Sequence, residues 1–245
     1  MKIFCKIIFQ FLLLLFLSPF VFSAELKLIS MDAVPWAYFD ETRGEYAGVF
    51  PDIVRELEKL SGHKIKITLT PYARINRELE SGRQDCTILI KEKEREKISN
   101  VGELAFHIPM GVIAINGLQL ENYNDLYDLN ISVLRSLNIT DKFTEDDKLK
   151  KEFDTGYEMG LRKVLHGRLN AIAGTIPTIE YLAKEKGMAE ILGEPIVLSL
   201  KPIFLQCSKK STNSVFIKDI NLALKKIREN ETLNDIVNKY WDLSL

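Results

Sequence analysis

The sequence predicts an α/β protein made of two similar lobes, each built on a largely parallel β-sheet with helices packed on it. Short β-branched runs alternate with amphipathic helical segments, an order that is typical of βαβ units. Two short segments resemble each other around Gly82 and Gly167, 85 positions apart. Beyond the N-terminal apolar run, no second run approaches the length of a membrane span.

The first 23 residues have the pattern of a secretory signal peptide. Lys2 and Lys6 give a basic start, an apolar run follows over residues 7–22, and Val21 and Ser23 suit the positions three and one before a cleavage site. An uncleaved anchor helix is the alternative, but the run is short for a bilayer span and contains a proline. We therefore expect cleavage after Ser23 and a periplasmic protein.

Composition excludes several classes of partner. Without the two signal-peptide lysines, 31 basic residues face 34 acidic ones in a mature chain of 222 residues, a net charge of −3. This balance offers no electrostatic footprint for nucleic acid or an anionic membrane. The three histidines are far apart and the sequence has no CxxC motif, so we predict neither a metal nor a cofactor.

The first half of the mature chain follows a βαβαβ order. Its two helices end at Gly62 and Gly82, which suit the left-handed backbone of a helix C-cap. The predicted strands are 26–30, 64–69 and 85–90, and the predicted helices are 52–60 and 74–81.

The second half repeats the theme, with a Gly-Arg turn followed by Asn170 where the first half has Asp85. Either side chain can hydrogen-bond the backbone of the turn. No low-complexity linker separates the halves, so we expect two ordered strands, near 112–116 and 198–203, to join the lobes. The remaining predicted elements are strands 131–134 and 171–173 and helices 159–165, 176–184, 215–227 and 233–240.

A series of short motifs runs through the whole mature chain in a characteristic order. The first two are Asp32-Ala33-Val34-Pro35-Trp36-Ala37-Tyr38-Phe39 and Tyr46-Ala47-Gly48-Val49-Phe50-Pro51-Asp52-Ile53-Val54. Further matches are the turns at 81–85 and 167–170, the charged run at 94–97 and Asn-Lys-Tyr-Trp at 238–241. In this order the motifs resemble the family 3 periplasmic solute-binding proteins, the receptors of polar amino-acid ABC importers.

The resemblance implies the type II periplasmic-binding-protein fold, in which two lobes joined by two hinge strands close on a small solute in the cleft between them. Lobe 1 would comprise residues 24–115 and 199–245, and lobe 2 residues 116–198. The ligand would lie at the carboxyl ends of the strands and at helix N-termini. We expect a monomer whose macromolecular partner is an ABC permease or a membrane sensor.

The same resemblance assigns aromatic residues to the cleft. Tyr72 stands where the family has an aromatic ring that stacks on the ligand, with a surface position or packing between the lobes as the alternative. Trp36 and Tyr38 lie in the first strand-to-helix loop, where they either line the cleft or pack in the core.

Arg95 matches the family arginine that clamps a ligand carboxylate through two charge-assisted hydrogen bonds. It also lies in a highly charged run that could form an exposed helix. The stretch from residue 85 to 95 is two residues shorter than in the amino-acid receptors, and Leu89 and Ile90 replace the usual small hydroxyl residues. Lys91 and Arg74 are alternative cations.

The second lobe departs further from the amino-acid receptors. Ser136-Leu137-Asn138 stands at the family's anion-binding loop, where backbone amides and the Asn138 side chain could donate hydrogen bonds. Thr175 stands where those receptors carry the aspartate that pairs with the ligand's ammonium group. Because a threonine cannot neutralise a buried ammonium, a cation clamp combined with Thr175 predicts an anionic or neutral solute instead of a standard α-amino acid.

Two other functions are alternatives to a solute receptor: an enzyme, and a homologue that has lost binding. An enzyme on this fold would need an acid or base in the cleft, and the candidates Glu92, Glu94 and Glu180 lie in no catalytic motif. We therefore predict no enzymatic activity. A homologue that has lost binding and serves as a structural or sensory partner is the other alternative.

Cys86 and Cys207 remain after removal of the signal peptide. The resemblance places them on strands of one sheet, where a disulfide and two free thiols are both open. We slightly favour free thiols, because neighbouring strands often give poor bridge geometry.

Overall fold

The computed structural model describes residues 25–135 and 137–241. The predicted signal peptide and Ser136 lie outside the described residues. Within these described ranges, ten strands form one eight-stranded sheet and one separate hairpin. Within the described part of the chain, no helix is long and apolar enough to cross a membrane.

The elements up to the middle of the chain alternate as the sequence pattern predicts. In chain order they are β1 (Leu26–Met31), β2 (Tyr38–Asp40), β3 (Glu45–Ala47), α1 (Val49–Ser61), β4 (Ile65–Thr70), α2 (Tyr72–Ser81), β5 (Cys86–Ile90), α3 (Lys93–Ile98) and β6 (Ser99–Ile115).

The second half begins with a 3₁₀ turn at Tyr123–Asp128, and a second one, Ala189–Ile191, precedes the last strand. The other elements are β7 (Asn130–Leu134), α4 (Asp141–Glu145), β8 (Lys150–Asp154), α5 (Tyr157–Leu165), β9 (Ala171–Thr175), α6 (Ile176–Glu185), β10 (Leu192–Ser208), α7 (Ser214–Glu229) and α8 (Thr232–Asn238).

The large sheet has an internal two-fold order, β4-β1-β5-β10-β6-β9-β7-β8. On one side β1 lies between two parallel partners, β4 and β5, and on the other side β7 lies between parallel β8 and β9. The long strands β10 and β6 pair antiparallel in the middle. The two halves of the chain therefore build the same three-stranded unit twice, as the internal similarity predicts.

Buried apolar side chains form separate clusters at the two ends of the large sheet. One cluster is formed by residues 26–108 and 203–241, and we call the elements around it lobe 1. Two further clusters, whose buried members lie between residues 110 and 188, form the core of lobe 2. The lobe boundaries given above stay a prediction.

The two strands that join the lobes are longer than the sequence suggests. β6 and β10 each contain 17 residues, against the short segments 112–116 and 198–203. Each strand continues from the joint into both lobes, where it also pairs with β9 or β5. The sequence pattern also missed the β2–β3 hairpin and the edge strand β8.

The repeated Gly-Arg turn has the same construction in both lobes. Gly82 and Gly167 have φ of 74° and 67°, the left-handed region that favours glycine. Asp85 accepts the backbone N–H of Lys27 at 2.8 Å, and Asn170 accepts that of Asn130 at 3.0 Å. The two side chains thus fasten the turn to the first strand of each lobe, whereas the sequence pattern predicts bonds to the backbone of the turn.

Cys86 and Cys207 are direct cross-strand partners on β5 and β10, and they form a disulfide. The preference for free thiols was wrong. The register places the two residues opposite each other with Cα atoms 4.0 Å apart, which residue spacing alone could not determine.

Candidate functional site

The predicted site residues lie at the carboxyl ends of the parallel strands, or in the loops and elements that follow those strands. In lobe 1 these loops follow β1, β4 and β5, and in lobe 2 they follow β7 and β9. Since parallel strands present their carboxyl ends at one edge of a sheet, the loops of each lobe converge there.

The loop after β1 is fixed on the N-terminus of α1. The carbonyl oxygens of Pro35 and Trp36 accept the N–H groups of Val49 and Phe50 at 3.0 and 2.8 Å, which satisfies donors that a helix start otherwise leaves free. Gly48 makes this approach possible, because a Cβ there would lie 2.7 Å from the Pro35 oxygen. The glycine of the motif is thus explained by close backbone packing.

Trp36 packs in the core and also bonds across the lobes. Its side chain is 3% exposed and contacts the rings of Phe50, Phe106 and Trp241. Its indole N–H donates to the Thr178 hydroxyl in α6 of lobe 2 at 2.9 Å, within buried surroundings. Of the two roles considered for Trp36, the core packing is therefore present in the structure.

Tyr38 begins the β2–β3 hairpin and is half-buried. Its hydroxyl lies near that of Tyr181 in α6: burial, and secondarily the neighbouring Tyr38 hydroxyl, raise the pKa of Tyr181 to about 12. Tyr38 and Trp36 thus both contact α6, and the first loop of lobe 1 packs on the first two turns of that helix.

Arg95 is completely buried, although its neighbours in the charged run are exposed or half-buried. It lies on α3 and donates to Asn76 of α2 at 2.9 Å and to the carbonyl of Ile90. Its other terminal nitrogen contacts the Tyr72 hydroxyl at 3.2 Å and Glu92 at 3.1 Å. The exposed-helix alternative thus describes α3 but not Arg95 itself.

Tyr72 lies over this arginine with its ring 42% exposed. The guanidinium carbon is 5.7 Å from the ring centroid, within the range of a cation–π contact. The hydroxyl donates to Glu92. Partial burial and this hydrogen bond raise the pKa of Tyr72, against an opposing effect of Arg95.

The two alternative cations are at the surface of lobe 1. Lys91 follows β5 and pairs with Glu96 at 2.7 Å, and its amine lies 5.9 Å from the centre of the Phe204 ring. Arg74 is exposed in the first turn of α2.

In lobe 2, Thr175 is held by a tyrosine that the sequence interpretation did not include. The Thr175 N–H donates to the Tyr157 hydroxyl at 3.0 Å, and the Tyr157 ring lies against Gly174. Burial raises the pKa of Tyr157, and its hydrogen bonds to Thr175 act in the opposite direction. A glycine inside a strand signals close approach of another group, so Gly174 could have pointed to Tyr157.

Asn138 is exposed in the loop after β7, where its amide donates to Asp141 at 3.0 Å. The loop contains Ser136, which lies outside the described residues. The anion-binding role of this loop therefore stays a prediction.

The carboxylates considered for catalysis are in different surroundings. Glu92 is bonded to Tyr72 and Arg95, while Glu94 pairs with Lys97 at the surface. Burial, and secondarily the nearby Glu194, raise the pKa of Glu180. The described residues contain no group of three or more His, Cys, Asp and Glu that could hold a metal ion.

Two α/β lobes of the same strand order, joined by two long antiparallel strands, define the class of type II periplasmic binding proteins. The model of the bacterial extracellular solute-binding proteins, family 3, matches residues 28–242. The chain belongs to this family, and the predicted fold class is confirmed.

Solved structures with the same fold include solute-binding proteins and a VFT2 domain. An ancestral cationic amino acid solute-binding protein has a TM-score of 0.72 at 18% identity, covering 89% of this chain and 96% of its own. The substrate-binding protein of an amino acid ABC transporter has 0.67 at 17%, with 89% and 99% covered. The VFT2 domain of BvgS from Bordetella pertussis has 0.72 at 16%, with 88% and 93% covered. A search of curated proteins found no match.

Proposed function

We propose that this chain is an extracytoplasmic receptor that captures a small polar solute by closure of its two lobes, without chemical conversion, and acts with an ABC permease or a membrane sensor. The observation that carries the proposal is the contact between the lobes next to the strand ends. Trp36 of lobe 1 donates a buried hydrogen bond to Thr178 of lobe 2, and Tyr38 lies near Tyr181 in the same helix of lobe 2.

Membership of a family described as extracellular and solute-binding supports this reading. The groups at the strand ends are those of a recognition site, namely a half-exposed aromatic ring, amide and hydroxyl groups and a carboxylate. Polar groups of this kind fix the orientation of a small solute, whereas catalysis would need an acid or base directed at a reacting atom.

A sensor is the second candidate, because the interlobe bonds are made by the protein's own side chains. Such bonds favour the closed arrangement of the lobes even before a solute binds. A solute that binds the closed arrangement better then shifts an existing equilibrium between open and closed lobes. A histidine kinase sensor domain has the same fold, which is compatible with this role at the level of the fold alone.

A ligand screen tests the proposal. The mature protein is titrated with a metabolite library while its unfolding temperature is recorded, and each positive solute is followed by calorimetry and by NMR of the solute over hours. We expect saturable binding with an unchanged solute. Conversion of the solute would support an enzyme, and a complete absence of binding would support the homologue that has lost binding.

Location is tested separately. N-terminal sequencing of the protein from the native cell envelope should give Ala24 or a residue close to it. An intact Met1 on the envelope protein would contradict cleavage.

A further inference from the structure

We propose that Glu92 is a built-in counter-ion that occupies the Arg95 guanidinium, so that lobe 1 selects solutes that donate hydrogen bonds and rejects carboxylates. The class of solute is a small amine, amide or polyol without a carboxylate group. This inference rests on the proposed function as a solute receptor, and it concerns the choice of solute.

The hydrogen-bonding capacity of Arg95 is almost fully used within lobe 1. A guanidinium has five N–H donors, and four hydrogen bonds are made, to Asn76, Ile90, Tyr72 and Glu92. At most one donor is left, on a side chain with no exposed surface. A bidentate clamp on a ligand carboxylate needs two parallel N–H groups, so Arg95 cannot form one while Glu92 is in place.

The Glu92 carboxylate is accessible at the surface, whereas Arg95 is not. The Glu92 side chain is 38% exposed, and it lies beside the exposed ring of Tyr72. The Tyr72 hydroxyl already donates to Glu92 and accepts from Arg95. A carboxylate has about four acceptor positions, and only two at Glu92 are filled by these partners. The spare capacity at the surface is therefore that of an acceptor, which suits N–H and O–H groups.

Two cations of this region already have carboxylate partners within the protein. Arg95 and Glu92 cancel each other at a separation of 3.1 Å, and Lys91 is paired with Glu96 in the same way. An incoming carboxylate would have to replace Glu92 at a buried cation or stay close to a negative charge, and both are unfavourable. Thr175 adds no charge on the side of lobe 2, so an uncharged donor is also accepted.

Two measurements test the inference, and each uses Glu92→Gln beside a matched control. The control is Glu56→Gln, which removes a surface carboxylate that pairs with Lys59 at the same spacing of three residues. Circular dichroism checks that both variants are folded.

The first measurement uses formate as a minimal carboxylate and needs no knowledge of the natural solute. Formate should raise the unfolding temperature of Glu92→Gln saturably, because the glutamine leaves the buried Arg95 guanidinium without a counter-ion and formate can supply the missing negative charge. The wild type and Glu56→Gln should not respond. Adding Arg74→Ala to Glu92→Gln should preserve the response; its loss would assign the formate to Arg74 and overturn the inference, as would a response of the wild type.

The second measurement compares matched series in which one carbon skeleton carries a carboxylate, an amide or an amine, such as benzoate, benzamide and benzylamine. The wild type should bind the amide or amine at least about tenfold more tightly than the carboxylate, and Glu92→Gln should reduce or reverse this ratio. Tighter wild-type binding of the carboxylate would overturn the inference but leave the receptor intact. Binding of no solute at all, combined with the formate response of Glu92→Gln, would instead count against the proposed function alone.

Discussion

Gly174 lies where strand β9 passes directly against the ring of Tyr157. A Cβ at this position would lie 2.3–2.7 Å from three atoms of the tyrosine. Gly174→Ala must therefore displace Tyr157 and weaken its bond from the Thr175 N–H. Overpacking of this kind costs about 1–3 kcal/mol, and we expect a loss of that size in the free energy of unfolding measured with urea.

Gly156→Ala is the matched control for this substitution. Gly156 is the N-cap of α5, one residue before Tyr157, and a Cβ there has no neighbour within 4 Å. Its effect should stay below about 1 kcal/mol. Equal stability of the two variants would mean that Tyr157 does not hold the position described for it.

The role of a single residue could be predicted from the sequence only where it did not depend on contacts with residues from distant parts of the chain. Thr175 could be singled out because a single position sets the charge of a site. The surroundings of Trp36 could not be chosen in advance, because Phe106 and Trp241 join it from distant parts of the chain. For Arg95, the shortened segment and Ile90 indicated altered surroundings, but only the fold shows that the Ile90 carbonyl accepts from the arginine.

At the scale of elements, the disulfide joins β5, a strand within lobe 1, to β10, one of the two strands that connect the lobes. It closes a loop between residues separated by 121 positions. Constraining a loop of this length in the unfolded chain contributes on the order of 2–5 kcal/mol. The double substitution Cys86→Ala and Cys207→Ala should therefore lower the free energy of unfolding by that amount.

Intact mass and reductant provide the check on this prediction. The wild type should gain two mass units on reduction, and the unfolding temperature of the reduced protein should approach that of the double variant. The double variant should not respond to reductant. A wild type in which both thiols react with an alkylating reagent before reduction would contradict the disulfide.

Most helices and parallel strands were predictable because their apolar periodicity is local. Strand β1 differs by one residue from its prediction, and α2 and α5 each start two residues earlier. The long strands β6 and β10 were not predictable at full length. They change partners along their course, so different parts of each strand have different burial patterns. The β2–β3 hairpin has only three residues a strand, too few for a periodicity.

At the scale of the whole molecule, β6 and β10 connect the lobes covalently, while side chains of the first loop and α6 connect them through noncovalent contacts. The Trp36 indole and the Thr178 hydroxyl are separated by 142 positions and form a buried hydrogen bond. A rotation about the connecting strands that moved the first loop of lobe 1 away from α6 would break this bond. The relative position of the lobes should therefore depend on it.

A double-mutant cycle with Trp36→Phe and Thr178→Val measures this dependence. Thr178→Val leaves the buried indole N–H without an acceptor, which costs about 1–3 kcal/mol, and the radius of gyration from small-angle X-ray scattering should increase as the lobes separate more often. Once the indole is gone, the valine should cost less, with a coupling of about 0.5–3 kcal/mol between the two positions. Leu222→Ala, on the exposed face of α7, should leave the radius of gyration unchanged. Additive effects of the two substitutions, with an unchanged radius in Thr178→Val, would show that the bond does not control lobe position.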